Sequence, residues 1–359
     1  TAVGAYAGDA LTTGANNTCV GAYSLSAATT GASNVMIGGW AGDVITTGGS
    51  NIGIGLHALG AAVDGVSNAV AIGASALAAN THSGSGTTPN VAVGHNSQGA
   101  MTSGVNNVAV GAWSLDASTT GTTNVAIGSS ALSAATTSSH NTAIGHYAMA
   151  AVTTGTFNVA VGFGALDACT TTSQNTAIGY NAMGACTGSG NVAVGDQAML
   201  VAVAASYNVA VGDHAGDSIT DGTGNQLLSY YAGAGITTGD YNICIGYNAG
   251  VQTNALTTGS GNVYIGNGAG ASAVGVSNEM CINATANSVS KGTGTGFITA
   301  GSGGMYQGNN GTAWTQTSDR RIKKDIVPNT KGLEAIIQIE PKYFYYKSDQ
   351  ELQEELPGA

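Results

Sequence analysis

Few side chains in this sequence have types that could do chemistry, and their spacing mostly argues against it. Five cysteines, Cys19, Cys169, Cys186, Cys244 and Cys281, make no C-x-x-C pair and no metal-ligand spacing. Scattered singly through a long array, they read as small core hydrophobes; Cys169 and Cys186 fall at the same place in neighbouring sequence units and are expected to stack there rather than to bond. The six histidines include no H-x-x-x-H and no adjacent carboxylate pair, so no metal site is expected. Gly-Asp pairs such as Gly42-Asp43 and Gly216-Asp217 lack the pattern of calcium-binding repeats. The many Gly-x-Gly strings precede no helix and are not phosphate loops. No cofactor is implied. A glycan-cleaving site would need two carboxylates across a groove, and the acids here are too few and too irregular to supply them.

What does recur is a row of rings. Tyr6, Tyr23, Trp40, His57, Trp113 and Tyr147 stand two residues after a repeated glycine, and His95, His146, Phe163, Tyr180, Tyr230 and Tyr247 stand one residue after it. Exposed beside Asn and Thr, such rings would stack on the sugars of a cell surface. Tyr23, Trp40, His57, Trp113 and Tyr147 are therefore candidate receptor contacts. The same amphipathic rings would also fill grooves between subunits, and the sequence leaves both readings open.

The elements that carry these rings follow from composition and period. The 359 residues include 57 Gly; charged residues make up 8%, aromatics 6% and apolar residues 43%. Ordinary globular chains carry roughly 25% charge and about 7% Gly. Gly without a three-residue period, with only four Pro, excludes collagen, and the apolar content excludes intrinsic disorder. A repetitive, small-residue β architecture remains. The net charge is −11, unevenly placed: residues 1–317 hold 11 acids and one base, Lys291, whereas residues 318–359 hold 8 acids and 7 bases. The long first part is acidic and almost uncharged, which argues against nucleic acid or an anionic membrane as partner. No run of about 18 apolar residues is long enough to span a membrane. The chain opens at Thr1 without a leader pattern, which reads as a trimmed fragment.

Aligning on a Val/Ile-Gly dipeptide places glycines at 4, 21, 38, 55, 73, 94, 111, 128, 145, 162, 179, 195 and 212, and the series continues through Ser229, Gly246, Gly266 and Asn283. Most steps are 17 residues, the exceptions being 18, 21, 16 and 20, and the seventeen units read roughly N-V-A-V-G-x-x-A-L-x-x-x-T-T-G-x-x. Before the glycine, β-branched residues in most units alternate with Ala, the period of a half-buried strand. A second short strand is expected after the glycine, running toward Thr-Thr-Gly. The two glycines of each unit are expected to supply corners with positive φ. Such a coil is a narrow, all-β parallel solenoid; seventeen coils at ~4.8 Å each make a rod about 80 Å long. Val/Ile pairs are expected to fill the lumen and to leave an Ala-rich face outside, which would pack flat against identical neighbours. Asn recurs four residues before the glycine, including Asn107, Asn124, Asn141, Asn158 and Asn175, and stacked amides would form a hydrogen-bonded ladder. As turn residues tolerant of αL, the same asparagines need no such ladder.

The N-V-A-V-G-x-x-A units resemble the head repeats of YadA-like trimeric autotransporter adhesins, and related units occur in bacteriophage tail fibres. The resemblance covers residues 1–283 and implies a left-handed β-roll in a homotrimer. The adhesin period is commonly shorter than the one here. Residues 284–317, with Phe297, Tyr306 and Trp314, break the period and are expected to form a β-structured transition or cap.

From residue 318 the composition changes. Ser318-Asp319-Arg320-Arg321-Ile322-Lys323, then Gly332-Leu333-Glu334-Ala335-Ile336-Ile337 and Pro341-Lys342-Tyr343-Phe344-Tyr345-Tyr346, resemble the start of the peptidase S74 intramolecular chaperone domain of phage tailspikes and fibres. That domain has a short helix and a tyrosine-rich strand, so a short α/β segment, truncated at residue 359, is expected over 318–359. By the resemblance, Ser318 is the nucleophile and Lys323 the general base of a self-cleaving dyad, cutting before Ser318. From spacing alone Ser318 is a helix N-cap and Lys323 a solvated helix residue. The implied protein is a homotrimeric bacteriophage tail fibre, located in the virion, whose partners are its sister chains, other virion tail proteins and a host receptor such as a glycan. The competing reading is the head of a bacterial surface adhesin; the S-D-R-R-I-K segment marks the phage class.

Overall fold

A computed structural model describes residues 1–61, 65–80, 89–251, 255–283, 289–300, 303–307 and 315–316. The chain divides at residue 317 into two units, Thr1–Thr317 and Ser318–Ala359. The expectations for 318–359, including Ser318 and Lys323, lie outside the described residues.

Each sequence unit contributes one strand. β1 (Ala2–Val3) and β2 (Thr18–Val20) begin the series, and β16 (Val263–Ile265) and β17 (Met280–Asn283) end it. Each strand pairs in parallel with the next, residue type on residue type: Val108 with Val125, Ala109 with Ala126 and Val110 with Ile127. The register survives the irregular steps, with Ile52 opposite Val70, Val70 opposite Val91 and Ile243 opposite Val263. Extra residues are thus absorbed outside the strand, where nothing fixes the period of two. The result is an all-β parallel solenoid of about 17-residue coils. Parallel stacking runs one strand beyond the repeats, to β18 (Gly296–Ala300). β19 (Gly303–Gln307) then pairs antiparallel to β18, and β20 (Thr315–Gln316) antiparallel to β19.

Only one strand forms per coil among the described residues; the second strand expected after the glycine is absent. That segment is a chain of turns in which residues two and four after the glycine adopt left-handed backbone, as in Tyr23 (φ 57°), Leu25 (φ 52°), Trp113 (φ 55°) and Leu115 (φ 52°). Non-glycine residues carry a penalty of roughly 1 kcal/mol or more there. The coil tolerates it because the turned peptides bond to neighbouring coils instead of to water. Tyr23 N–H donates to Ala5 O at 2.9 Å, Leu25 N–H to Ala41 O at 2.9 Å, and Thr29 N–H to Thr46 O at 2.9 Å. A strand would aim alternate peptides in the same two directions, so the turns satisfy the backbone as fully while closing the coil in fewer residues.

The lumen is inverted relative to the sequence reading. The middle residue of the strand points inward: Ala92, Ala109, Ala126, Ala143, Ala160 and Ala177 are buried, and the flanking Val and Ile face out. The lumen is filled instead from the turn side, by Leu25, Leu59, Leu77, Leu115, Leu132, Met149, Leu166, Met183 and Met199. With a three-residue strand facing a tight turn, the coil is too narrow for large residues from both sides, and Ala opposite Leu is the pairing that fits. A second exchange of volume follows along the turn. Where the fourth residue after the glycine is Leu, the seventh is small, as in Leu25/Ala28 and Leu132/Ala135. In four coils where the fourth is Gly, the seventh is a large aliphatic residue, Leu in Gly8/Leu11 and Ile in Gly42/Ile45, Gly216/Ile219 and Gly233/Ile236. A Cβ on Gly42 would stand 3.1 Å from Ile45 Cδ1, and one on Gly216 2.9 Å from Ile219 Cδ1.

The two glycines of the Gly111–Gly121 coil are constrained for different reasons, which corrects the expectation of two positive-φ corners. Gly111 has φ +135°, and a Cβ there would fall 2.5 Å from the Gly128 carbonyl oxygen of the next coil. Gly121, in Thr-Thr-Gly, has no positive φ; its constraint is close approach alone, a Cβ standing 2.3 Å from Ser138 O. Likewise Cys169 and Cys186 are joined by a disulfide rather than merely stacked. In-register stacking brings equivalent Cα atoms to 4.9 Å, within disulfide reach.

Two outcomes test this packing. Ala126→Val and Ala143→Val, which make the chain more hydrophobic, are each expected to lower unfolding stability by ~1–3 kcal/mol through overpacking, and Leu132→Ala by ~2–5 kcal/mol, in urea titrations followed by circular dichroism; stabilisation by either valine would show that the lumen is not where the alanines point. Non-reducing peptide mapping is expected to recover the Cys169 and Cys186 peptides linked, and the double Cys→Ser variant to lose ~2–4 kcal/mol.

Candidate functional site

The solenoid carries three continuous side-chain rows: one internal ladder and two surfaces. The internal ladder is built by the Asn four residues before the repeat glycine. Asn124 is buried; its backbone N–H donates to Asn107 Oδ1 at 2.9 Å, and its Nδ2 donates to the same oxygen at 3.1 Å and to Ser138 O at 2.9 Å. Asn107, Asn141 and Asn158 repeat this pattern onto Asn90, Asn124 and Asn141. Asn175 donates its N–H to Asn158 Oδ1 at 3.0 Å and its Nδ2 to Gly188 O at 3.1 Å. An amide carries both donors and acceptors, so an unbroken column of one residue type satisfies itself. These asparagines hold coils together; being buried, they touch no external ligand.

In the last coil the ladder position is Glu279. Its N–H donates to Asn262 Oδ1 at 2.9 Å. Its carboxylate, 1% exposed, accepts from Tyr264 O–H at 3.0 Å, from Ser272 N–H at 3.2 Å, and from the Ser272 and Ser290 hydroxyls. A carboxylate accepts only, so the Asn pattern stops where the non-repeating strands begin. Burial, and then the facing Glu279, push the Tyr264 phenol far above its ordinary range. Burial likewise pushes the Cys244 thiol up to about 12 and Cys281 up to about 11, so neither is a thiolate nucleophile at neutral pH.

The first surface row is the outer face of the strands. Ile37, Ile127, Ile144 and Ile178 keep 37–39% of their surface exposed along one face of the parallel sheet. Parallel sheets are ordinarily covered on both faces; this one is covered on its lumen side only within the single chain.

The second row is aromatic and borders that face. Tyr6, Tyr23, Trp40 and His57 form a continuous stack with centroids 5.0, 5.8 and 5.3 Å apart and planes within 16°. Trp113 meets His95 edge-on at 5.4 Å, and Tyr147 meets His146 at 4.0 Å. His146, Phe163 and Tyr180 continue a parallel row. Tyr23, Trp40 and Trp113 are exposed, but the stacked rings turn their faces to one another, so a sugar has ring edges, not faces, to meet in the Tyr6–His57 stack. Four more exposed rings, His140, Phe157, Tyr207 and Tyr241, stand five residues before the repeat glycine, and the first two stack on each other at 4.9 Å. Alignment on the glycine alone passes over that column; its Gly-Tyr-Gly-Tyr alternation at 190, 207, 224 and 241 was the available signal.

Among the described residues no group of three or more His, Cys, Asp or Glu is placed to hold a metal, and no helix is long and apolar enough to cross a membrane. Burial raises the carboxyl pKa of Asp43, Asp116, Asp167 and Asp217 above its ordinary value. A carboxyl with a raised folded-state pKa disfavours folding once the unfolded chain has released its proton. That penalty is absent below the ordinary carboxylate range and full above the raised pKa. Asp116→Asn/Asp167→Asn is therefore expected to raise Tm at pH 7 more than at pH 4; an equal effect at both would remove desolvation as the cause.

Residues 318–357 match the sequence model of the Peptidase_S74 family, described as the chaperone of endosialidase. No curated protein and no solved structure matches the chain. A parallel β-solenoid followed by a Peptidase_S74 segment is an arrangement consistent with a tail-fibre-like protein.

Proposed function

We propose that this chain is a structural and host-recognition protein of a bacteriophage virion, a homotrimeric tail fibre whose solenoid is the shaft. In this reading the C-terminal segment directs trimer folding and then cleaves itself off. The observation that carries it is the pairing of a chaperone-family segment with a rod whose outer Val/Ile face has no cover in one chain. A continuous apolar stripe along a rod favours association with copies of itself, since only an identical rod offers the same stripe in the same repeat. Other virion tail proteins would hold the fibre's base.

The self-cleavage assigned to the chaperone segment is written through two residues. Lys323 takes the Ser318 hydroxyl proton as Oγ attacks the Thr317 carbonyl carbon. The C–N bond breaks, the nitrogen takes a proton to become a new amino terminus, and the C–Oγ ester that forms is hydrolysed by water, which restores the hydroxyl.

Light scattering is expected to give three times the chain mass for the protein carrying its whole chaperone region. Ile144→Lys/Ile178→Lys is expected to abolish that assembly while circular dichroism of the rod persists; a wild-type monomer would overturn the assignment. Denaturing gels of the same protein are expected to show a cut chain for wild type and an intact chain for Ser318→Ala and Lys323→Ala. A single full-length band in all three would remove the dyad.

A further inference from the structure

Among the described residues, Tyr207 and Tyr241 are the two most exposed aromatic side chains, at 71% and 68% of their surface. Both stand in left-handed backbone, at φ 58° and 54°, so the turn projects each ring away from the rod. Unlike the Tyr6–His57 stack, neither ring stacks on another aromatic among the described residues. Each lies instead against the glycine of the preceding coil: a Cβ on Gly190 would stand 2.8 Å from Tyr207 Cδ1, and one on Gly224 2.7 Å from Tyr241 Cδ1. One ring side is therefore braced by backbone and the other is bare. The two rings are two coils apart, ~9.6 Å at ~4.8 Å per coil, with the side-chain-free Gly224 between them. Tyr241 N–H donates to Thr223 O at 2.8 Å and Asp240 Oδ1 accepts from Thr223 N–H at 2.8 Å, which ties the second ring's coil to the intervening one, and Gly224 N–H donates to Ser206 O at 3.1 Å, which ties that one to the coil of Tyr207.

The surroundings are polar and acidic. Gln226 replaces the usual outward β-branched residue on the strand between the two rings, and it is exposed, as is Asp221. Five of the acids in residues 1–317, Asp196, Asp213, Asp217, Asp221 and Asp240, fall within these coils, and no Lys or Arg precedes Lys291. Bare amphipathic rings, spaced in register and flanked by an amide and carboxylates, suit a ligand with alternating apolar ring faces and hydroxyl edges. The local negative charge disfavours an anionic one.

We infer that Tyr207 and Tyr241, with Gln226 and Asp240, form a binding site for an uncharged polysaccharide lying along the rod, one ring under every second coil. The inference deepens the host-recognition part of the proposed function and rests on it. It moves the sugar contact from the stacked row of Tyr23 and Trp40 to rings whose faces are free.

The test applies the protein carrying its whole chaperone region to an array of defined uncharged, sialylated and sulfated oligosaccharides, with light scattering on every variant. Wild type is expected to retain uncharged oligosaccharides selectively. Tyr207→Ala and Tyr241→Ala are each expected to weaken retention about tenfold, and Tyr23→Ala/Trp40→Ala to leave it unchanged. Tyr207→Phe, which keeps the ring, is expected to retain most binding. The proposal is overturned if no uncharged oligosaccharide is held, if only acidic ones are, or if both tyrosine variants bind as wild type. It is also overturned if those variants lose assembly mass, since the rings would then be subunit contacts. A monomer that still binds through these tyrosines would sink the trimeric fibre and leave the site standing.

Discussion

Each repeat position of the rod lies against its own equivalent one strand spacing away, about 4.8 Å, and the rest of the molecule follows from that condition. A side chain that repels its copy is multiplied along the rod, and one that complements its copy is reinforced at each coil. Two like charges at about 4 Å interact with ~1 kcal/mol even in water and with more when partly buried. The near absence of charge from residues 1–317 is thus a packing rule more than a matter of solubility. Asp9, Asp43, Asp116, Asp167 and Asp217 share one coil position and never sit on adjacent coils; Asp196 and Asp213, one residue after consecutive repeat glycines, are the exception. Asn is favoured for the opposite reason, because its amide both donates to and accepts from its own copy.

The same condition explains the backbone. Turn peptides that would be exposed in an isolated loop find carbonyls in the coils on either side, which is why Tyr, Trp and Leu stand in left-handed conformation. At Ser229 the repeat glycine is replaced, yet the chain holds φ 113°, a value the neighbouring coils impose on it. Gly111 meets both backbone twist and close approach, whereas Gly121 meets close approach alone.

Narrowness decides what faces out. Because Leu and Met from the turn occupy the lumen, the strand can present only Ala inward, and its larger residues are displaced to the surface. One chain therefore leaves its most hydrophobic face uncovered. Identical coils also leave the alignment between chains underdetermined, since a slip of one whole coil preserves nearly every contact. In the proposed homotrimer a segment outside the repeat would set it, and the Peptidase_S74 match falls in such a segment.

The sequence by itself determined the period, the strand in each unit, the Asn column, the ring rows and the break at residue 317, because all are repetitions or composition shifts that need no third dimension. Tertiary structure alone decided which side of the strand is the lumen. Alternation of Val and Ala names two faces without saying which is inside, and that choice depends on how much volume the opposite turn has already filled. It also decided that the segment after the glycine turns rather than extends, and that Cys169 meets Cys186 closely enough to bond. Whether a ring offers its face or hides it, as Tyr207 and Tyr23 do in turn, depends on what the neighbouring coil places beside it.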